Sequence, residues 1–140
     1  MAKLGEHAVV LGASMGGLVA ARVLSEFFER VTIIDRDSLP SKAETRKGTP
    51  QSHQIHVLLA SGAHTLESLF PGFFQRLGQA GSVPDDFSTE DARWFQHGVW
   101  KQRACRKLIV HCQTRPFLEH AIRSEVARLP NARIRENFTA

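Results

Sequence analysis

The chain has 140 residues, 42% of them hydrophobic and 23% charged, which excludes a disordered or fibrous polypeptide and fits one globular domain with a buried core. Its net charge of +4 and pI near 9.6 raise nucleic-acid binding. However, the basic residues are scattered from Arg22 to Arg135, and the densest group, Lys101 to Lys107, reads as a solvated face, so no nucleic-acid partner is expected. Cys105 and Cys112, separated by six residues, match no zinc or redox spacing; free thiols in a reducing cytoplasm are expected, with no metal site.

Residues 7–11 are a short apolar run, broken by Gly12-Ala13-Ser14-Met15-Gly16-Gly17. Val19, Val23 and Phe27, with Ala20, Leu24 and Phe28 beside them, recur at helical spacing and predict one apolar helix face, with Arg22, Ser25, Glu26 and Glu29 pointing away. Residues 31–34 form a second apolar, β-branched run ending at Asp35. Two strands joined by one helix through so short a path must be parallel, with a right-handed crossover. The apolar stretch 8–21 holds three glycines and is shorter than the ~20 residues that span a bilayer, so no membrane span is expected.

A helix that begins directly after a strand aims unpaired N–H groups and its positive dipole end at whatever lies above the turn. Gly12 permits the sharp turn, Gly17 permits close helix–strand packing, and Asp35, 23 positions after Gly12, stands where a carboxylate meets a ribose diol. This is the adenine-dinucleotide fingerprint with Ser14 in place of the second glycine; serine is small, and its hydroxyl suits a phosphate oxygen. The same letters spell G-x-S-x-G, the nucleophile elbow of α/β-hydrolases. Only one strand precedes the turn, and an elbow would leave Asp35 unexplained. A short-chain dehydrogenase would need glycine at Leu18 and a tyrosine, and the chain has none. A buried βαβ unit that binds nothing remains open.

Residues 37–54, broken by Pro40, Gly48 and Pro50, predict a loop carrying Arg46. Helices are expected over 55–70, stopped by Pro71, and over 72–80, with a turn at 81–86. Residues 92–113 favour three strands in an antiparallel meander around Trp94-Phe95, Val99-Trp100 and 108–112, with turns at Gly98 and 103–107. Trp94 and Trp100 read as core or sheet-face aromatics, and His53 and His56 as surface or packing histidines. Thr114 is an N-cap with Pro116 in the first turn of a helix carrying Leu118, Ile122, Val126 and Leu129 on one stripe. Residues 132–139 end the chain as a strand. The fold class is α/β: a Rossmann-like βαβ half-domain with a parallel sheet, inserted helices and a small antiparallel meander.

Four stretches together resemble the N-terminal part of FAD-dependent oxidoreductases and monooxygenases of the para-hydroxybenzoate hydroxylase type, whose relatives include squalene epoxidases and geranylgeranyl reductases. They are the segment from Gly12 to Leu18; the pair Asp35-Arg36; Arg46-Lys47-Gly48-Thr49-Pro50-Gln51 with His56 and Leu58-Leu59; and Thr114-Arg115-Pro116-Phe117-Leu118-Glu119, similar to the family's Ser-Arg-Pro-x-Leu-Glu helix start. The resemblance spans residues 7–140 and implies one FAD-binding domain over residues 1–140. It implies that Gly12, Ser14, Met15 and Gly17 cradle the FAD pyrophosphate, that Asp35 holds the adenosine ribose, and that Arg36 lies along the adenine. Arg46 and Arg115 would approach the flavin side of the cofactor. It implies further that NAD(P)H reduces the flavin, which then oxygenates or reduces an organic substrate the sequence does not name. No catalytic residue falls within the matched motifs.

The family's second FAD motif, a Gly-Asp pair, and the sheet covering the substrate have no counterpart, so the resemblance implies an incomplete domain that grips flavin from one side only. A second chain supplying the other half would complete it. Two other readings stay open: a non-catalytic, truncated nucleotide-binding remnant, and an NAD-linked dehydrogenase using the same fingerprint.

Overall fold

The computed structural model describes residues 3–54, 56–86, 93–102 and 109–138. In chain order the elements are β1 (Gly5–Leu11), α1 (Met15–Phe27), β2 (Phe28–Ile34), a 3-10 turn (Pro50–His53), β3 (Val57–Leu58), α2 (Ala60–Leu69), α3 (Phe73–Gln79), β4 (Val83–Asp86), β5 (Phe95–Gln96), β6 (Val99–Trp100), β7 (Ile109–Cys112), α4 (Arg115–Ala127) and β8 (Ala132–Arg135). This is the expected mixed α/β class. The elements group into two compact units, one of residues up to 55 and from 114 onward, the other of residues 56–113.

The first unit is built on a parallel sheet of order β1-β2-β8. Consecutive parallel strands on one side of β1 are the arrangement of one half of a doubly wound sheet. Val10, Val31, Ile33 and Ala132 from the strands meet Leu18 and Ala21 of α1 and Leu118, Ile122 and Val126 of α4 in a core with almost no solvent access. Val9 and Leu11 of β1, pointing the other way, are exposed.

The buried face of α1 is not the one that periodicity predicts. Leu18, Ala21 and Ser25 are buried, whereas Val23 is exposed and Val19 half-buried. The reason is closeness. A Cβ built on Gly17 would stand 1.8 Å from the Gly12 carbonyl oxygen, so the helix lies against the turn on its small residues and the bulky valines fall outside. The buried Ser25 hydroxyl is satisfied by the Arg22 carbonyl at 2.6 Å. The helix stops one residue before β2, so Phe28 and Glu29, expected on the helix, are strand residues. Asn131 Nδ2 donates to the Ser25 and Phe28 carbonyls at 2.9 and 3.0 Å, and Lys3 Nζ donates to the Ser25 and Glu26 carbonyls; these donors cap the helix end.

In the second unit β7 lies between β3 and β4 in an antiparallel sheet, and β5 and β6 form a separate hairpin. The antiparallel strands expected over 92–113 are therefore present, distributed over two small sheets rather than one run. Pairing with β7 also makes strand of two segments read otherwise. Residues 57–58 were expected in a helix that begins only at Ala60, and Val83–Asp86 was expected to turn. His97 and Gly98, with φ of 54° and 79°, form the left-handed two-residue turn that suits a hairpin. Leu66, Phe70, Phe73, Leu77 and Val110 make this unit's core. Trp94 and Trp100 are not in it; both are exposed on the hairpin. The turn expected at 103–107, with Cys105, lies outside the described residues. Cys112 is a free thiol, and no helix among the described residues is long and apolar enough to cross a membrane.

Candidate functional site

The site lies in the first unit, where the strand ends meet the start of α1. After β1 the chain turns at Gly12, whose φ of +95° is a conformation L side chains avoid; its N–H donates to the Ile34 carbonyl at 2.7 Å. Ser14 is extended and precedes α1, and Leu18 N–H makes the first intrahelical bond to its carbonyl. The amides of Met15, Gly16 and Gly17 thus have no partner within the helix. No acidic residue occupies the first turn, so α1 itself supplies no counter-charge to the positive end of its dipole. A cavity of about 280 Å³ opens beside this turn, lined among others by Gly12, Ser14, Asp35, Arg36, Arg46 and Phe138.

Asp35 directly follows β2, at the strand end where it is expected, and is only 6% exposed. One carboxylate oxygen accepts the Ala13 N–H at 2.6 Å, and the other accepts the Asp37 N–H at 2.9 Å. The acid thus clamps the glycine turn to the end of β2. It also faces Arg46 Nη1 at 3.3 Å.

Arg46 is the least free of the cations named from the sequence. Its side chain, 5% exposed, sits among three carboxylates: Asp35, Asp37 at 2.7 Å and Glu119 at 2.9 Å. Burial pushes the guanidinium toward losing its proton, but bonds to Glu119 and Asp37 outweigh this and hold its pKa above the ordinary value. Burial likewise raises the Asp37 carboxyl, yet the Arg46 bond and the Gly48 N–H, 2.6 Å away, bring it below the ordinary carboxylate range. Gly48 has no room for a side chain: a Cβ there would stand 2.4 Å from Asp37 Oδ2. Loop 37–54 is thereby tied down through Arg46.

Thr114 caps α4 as expected, its hydroxyl accepting the Phe117 N–H at 3.3 Å. Arg115, in the first turn, reaches the α1 turn and donates from Nη2 to Ser14 Oγ at 2.9 Å. Glu119 follows one turn later and accepts the Ser14 hydroxyl at 2.8 Å. Arg123, another turn on, places Nη1 3.9 Å from Glu119 and donates from Nη2 to the Pro40 carbonyl. Three arginines and three carboxylates therefore interlock beside the cavity.

Of the residues named from the sequence, Gly12, Ser14, Asp35, Arg36 and Arg46 line one cavity, and Arg115 joins them through Ser14. Arg36 is exposed. Met15 opens α1 and Gly17 packs against Gly12, so neither lines the cavity. From the sequence, Gly48 and Glu119 fall within the matched stretches but carry no assigned role, and Asp37 is not named. A signal for Glu119 was available, because it stands three before Ile122 and seven before Val126, on the buried stripe of α4.

These features fit a dinucleotide diphosphate: a turn at Gly12, amides above it that lack an intrahelical partner, arginines nearby and a carboxylate directly after the second strand.

No protein-family model matches the chain. Protein Rv3254 of Mycobacterium tuberculosis (strain ATCC 25618 / H37Rv) is 39% identical over 133 residues, which cover 92% of this chain and 28% of that protein. Among solved structures, the tetrameric form of 2-methyl-3-hydroxypyridine-5-carboxylic acid oxygenase matches with a TM-score of 0.65 at 21% identity, over 96% of this chain and 32% of its own. p-Nitrophenol 4-monooxygenase PnpA from Pseudomonas putida DLL-E4 matches with a TM-score of 0.58 at 16% identity, over 98% and 33%. The flavin-dependent monooxygenase PieE, solved with FAD and substrate, matches with a TM-score of 0.60 at 16% identity, over 98% and 24%. The chain thus spans about a third or less of each of these four proteins, and its fold is one found within flavin-dependent monooxygenases.

Proposed function

We propose that the first unit binds the ADP moiety of FAD, as the nucleotide-binding portion of a flavoprotein monooxygenase or oxidoreductase of the para-hydroxybenzoate hydroxylase type. The observation that carries this reading is the convergence of the Gly12 turn, the open start of α1 and the Asp35 carboxylate on one cavity. Gly12 and Ser14 form the diphosphate cradle, with Met15 and Gly17 contributing only backbone amides at the start of α1; Asp35 meets the ribose, Arg36 lies along the adenine, Arg115 supplies positive charge, and Arg46, held by three carboxylates, orders the loop beside it. Bound flavin supplies the redox chemistry, with NAD(P)H as reductant; the protein binds, orients and excludes water. The substrate is a small organic molecule, and the setting is cytoplasmic.

The exposed Val9 and Leu11 favour one addition. Both faces of a parallel sheet are ordinarily covered, so this face, and the edge of β1 that pairs with no strand among the described residues, suit further structure from a second polypeptide or from the remainder of a longer protein.

Titration of the purified chain with FAD, followed by flavin absorbance and fluorescence quenching, tests the reading. Binding is expected, and Gly12→Val and Asp35→Ala should each abolish it. Binding that survives both substitutions refutes the assignment. A chain that ignores FAD and gains stability with NAD identifies an NAD-linked dehydrogenase fragment, and one indifferent to both identifies a non-catalytic remnant.

A further inference from the structure

We infer that Glu119 is the positioning residue of the diphosphate cradle, acting through Ser14, Arg115 and Arg46 without touching the ligand. This inference rests on the dinucleotide reading and extends it to a residue outside the fingerprint. Glu119 comes from α4, yet its two oxygens hold residues distant in sequence. Oε2 accepts the Ser14 hydroxyl at 2.8 Å, and Oε1 accepts Arg46 Nε at 2.9 Å. The side chain is 6% exposed, so these bonds form away from bulk water, where charge-assisted contacts are strongest.

The consequence for Ser14 follows from proton counting. A hydroxyl donates one proton, and Ser14 gives its proton to Glu119. It cannot donate to a phosphate as well. Its oxygen instead accepts from Arg115 Nη2 at 2.9 Å. Serine at the second glycine position is therefore an anchor: it receives Arg115 on one side, is held by Glu119 on the other, and fixes that guanidinium at the open end of α1. The Arg46 arm does the same for loop 37–54, which also contributes Gly48 to the cavity wall.

Charge balance points the same way. Arg46, Arg115 and Arg123 face Asp35, Asp37 and Glu119, so the cluster is close to neutral before any ligand arrives. An unscreened set of arginines would attract any anion. A balanced set held in place favours the one anion whose shape also meets the helix amides.

The test uses the full chain with three variants, Glu119→Gln, Ser14→Ala and the double substitution. Each is titrated by calorimetry with ADP-ribose and with adenosine. Glutamine keeps the size of Glu119 but has only one accepting oxygen, so one arm is lost. ADP-ribose affinity should fall about tenfold in Glu119→Gln, adenosine affinity should not change, and the double variant should bind no more weakly than Glu119→Gln. Without ligand, tryptic cleavage after Arg46 in Glu119→Gln should accelerate relative to cleavage after the exposed Lys42 of the same loop. Wild-type chain that binds neither FAD nor ADP-ribose overturns the dinucleotide reading, and this inference with it. Wild-type chain that binds both, with Glu119→Gln binding equally well or more tightly, overturns the inference and leaves the reading standing. Where Glu119→Gln does not fold, Ser14→Ala decides: ADP-ribose affinity equal to wild type refutes the anchoring role.

Discussion

Gly17→Ala adds one methyl group at the tightest contact of the first unit. The new Cβ would lie 1.8 Å from Gly12 O, 2.9 Å from Gly12 C and 3.3 Å from Val10 Cγ1, whereas real Cβ atoms essentially never approach within 3.0 Å. The first obstacle is backbone, so no rotamer change relieves it; helix and turn must separate by about 1.2 Å, the difference between 3.0 and 1.8 Å. Overpacking of this kind costs roughly 3 kcal/mol at the upper end of its usual range. The gain in helix propensity from glycine to alanine offsets about 1 kcal/mol of that. A net loss of about 2 kcal/mol should lower Tm by roughly 6–12 °C in a chain of this size. Gly16→Ala is the matched control, since nothing lies within 4 Å of a Cβ built there; it should leave Tm unchanged or slightly raised. Thermal denaturation by circular dichroism measures both. Equal Tm values for the two variants would refute the claim that α1 owes its position to close contact at Gly17.

Two further outcomes are expected. Arg46→Met removes the only guanidinium shared by Asp35, Asp37 and Glu119 among the described contacts and leaves buried carboxylates facing one another, which should cost about 3 kcal/mol in urea denaturation; a loss below about 1 kcal/mol would show the cluster to be dispensable for the fold. In the second unit, Glu67 accepts the Gly72 N–H at 2.6 Å and the Phe74 N–H at 3.1 Å, and these bonds, with Phe74 the larger contributor, hold its carboxyl below the ordinary 4.5. A depressed carboxyl stabilises the fold above its unfolded value and loses that effect as pH falls through the folded one. Glu67→Gln should therefore open the start of α3 by about 1 kcal/mol at neutral pH, seen as faster amide exchange at Gly72 and Phe74, with the difference from wild type shrinking below pH 4.5. A difference independent of pH would exclude the ionised carboxylate as the cap.

The interlocked arginines also bear on how the site receives a ligand. Arg115, 3.7 Å from Glu119, is bonded to Ser14, the residue that precedes the first amides of α1, whereas Arg46 is engaged by carboxylates on several sides. A diphosphate would thus find its guanidinium partner chiefly in Arg115, with Arg46 shaping the loop beside it.

Local rules carried much of the sequence reading. Glycine at a forced turn, a β-branched run ending in an acid, a threonine cap with proline behind it and a stripe at helical spacing each act within a few residues, so the βαβ unit, Asp35 at its end and α4 were legible without coordinates. What tertiary structure decided depends on neighbours distant in sequence. Only the closeness of α1 to the Gly12 turn determines that Ala21 and Ser25 face inward rather than Val19 and Val23. Only the presence of β7 turns residues 57–58 and Val83–Asp86 into strands, because a strand needs a partner to satisfy its backbone. And only the fold brings Glu119 within reach of Ser14 and Arg46, since a buried charge is stable where its counter-charges meet it, and their meeting is a property of the folded chain.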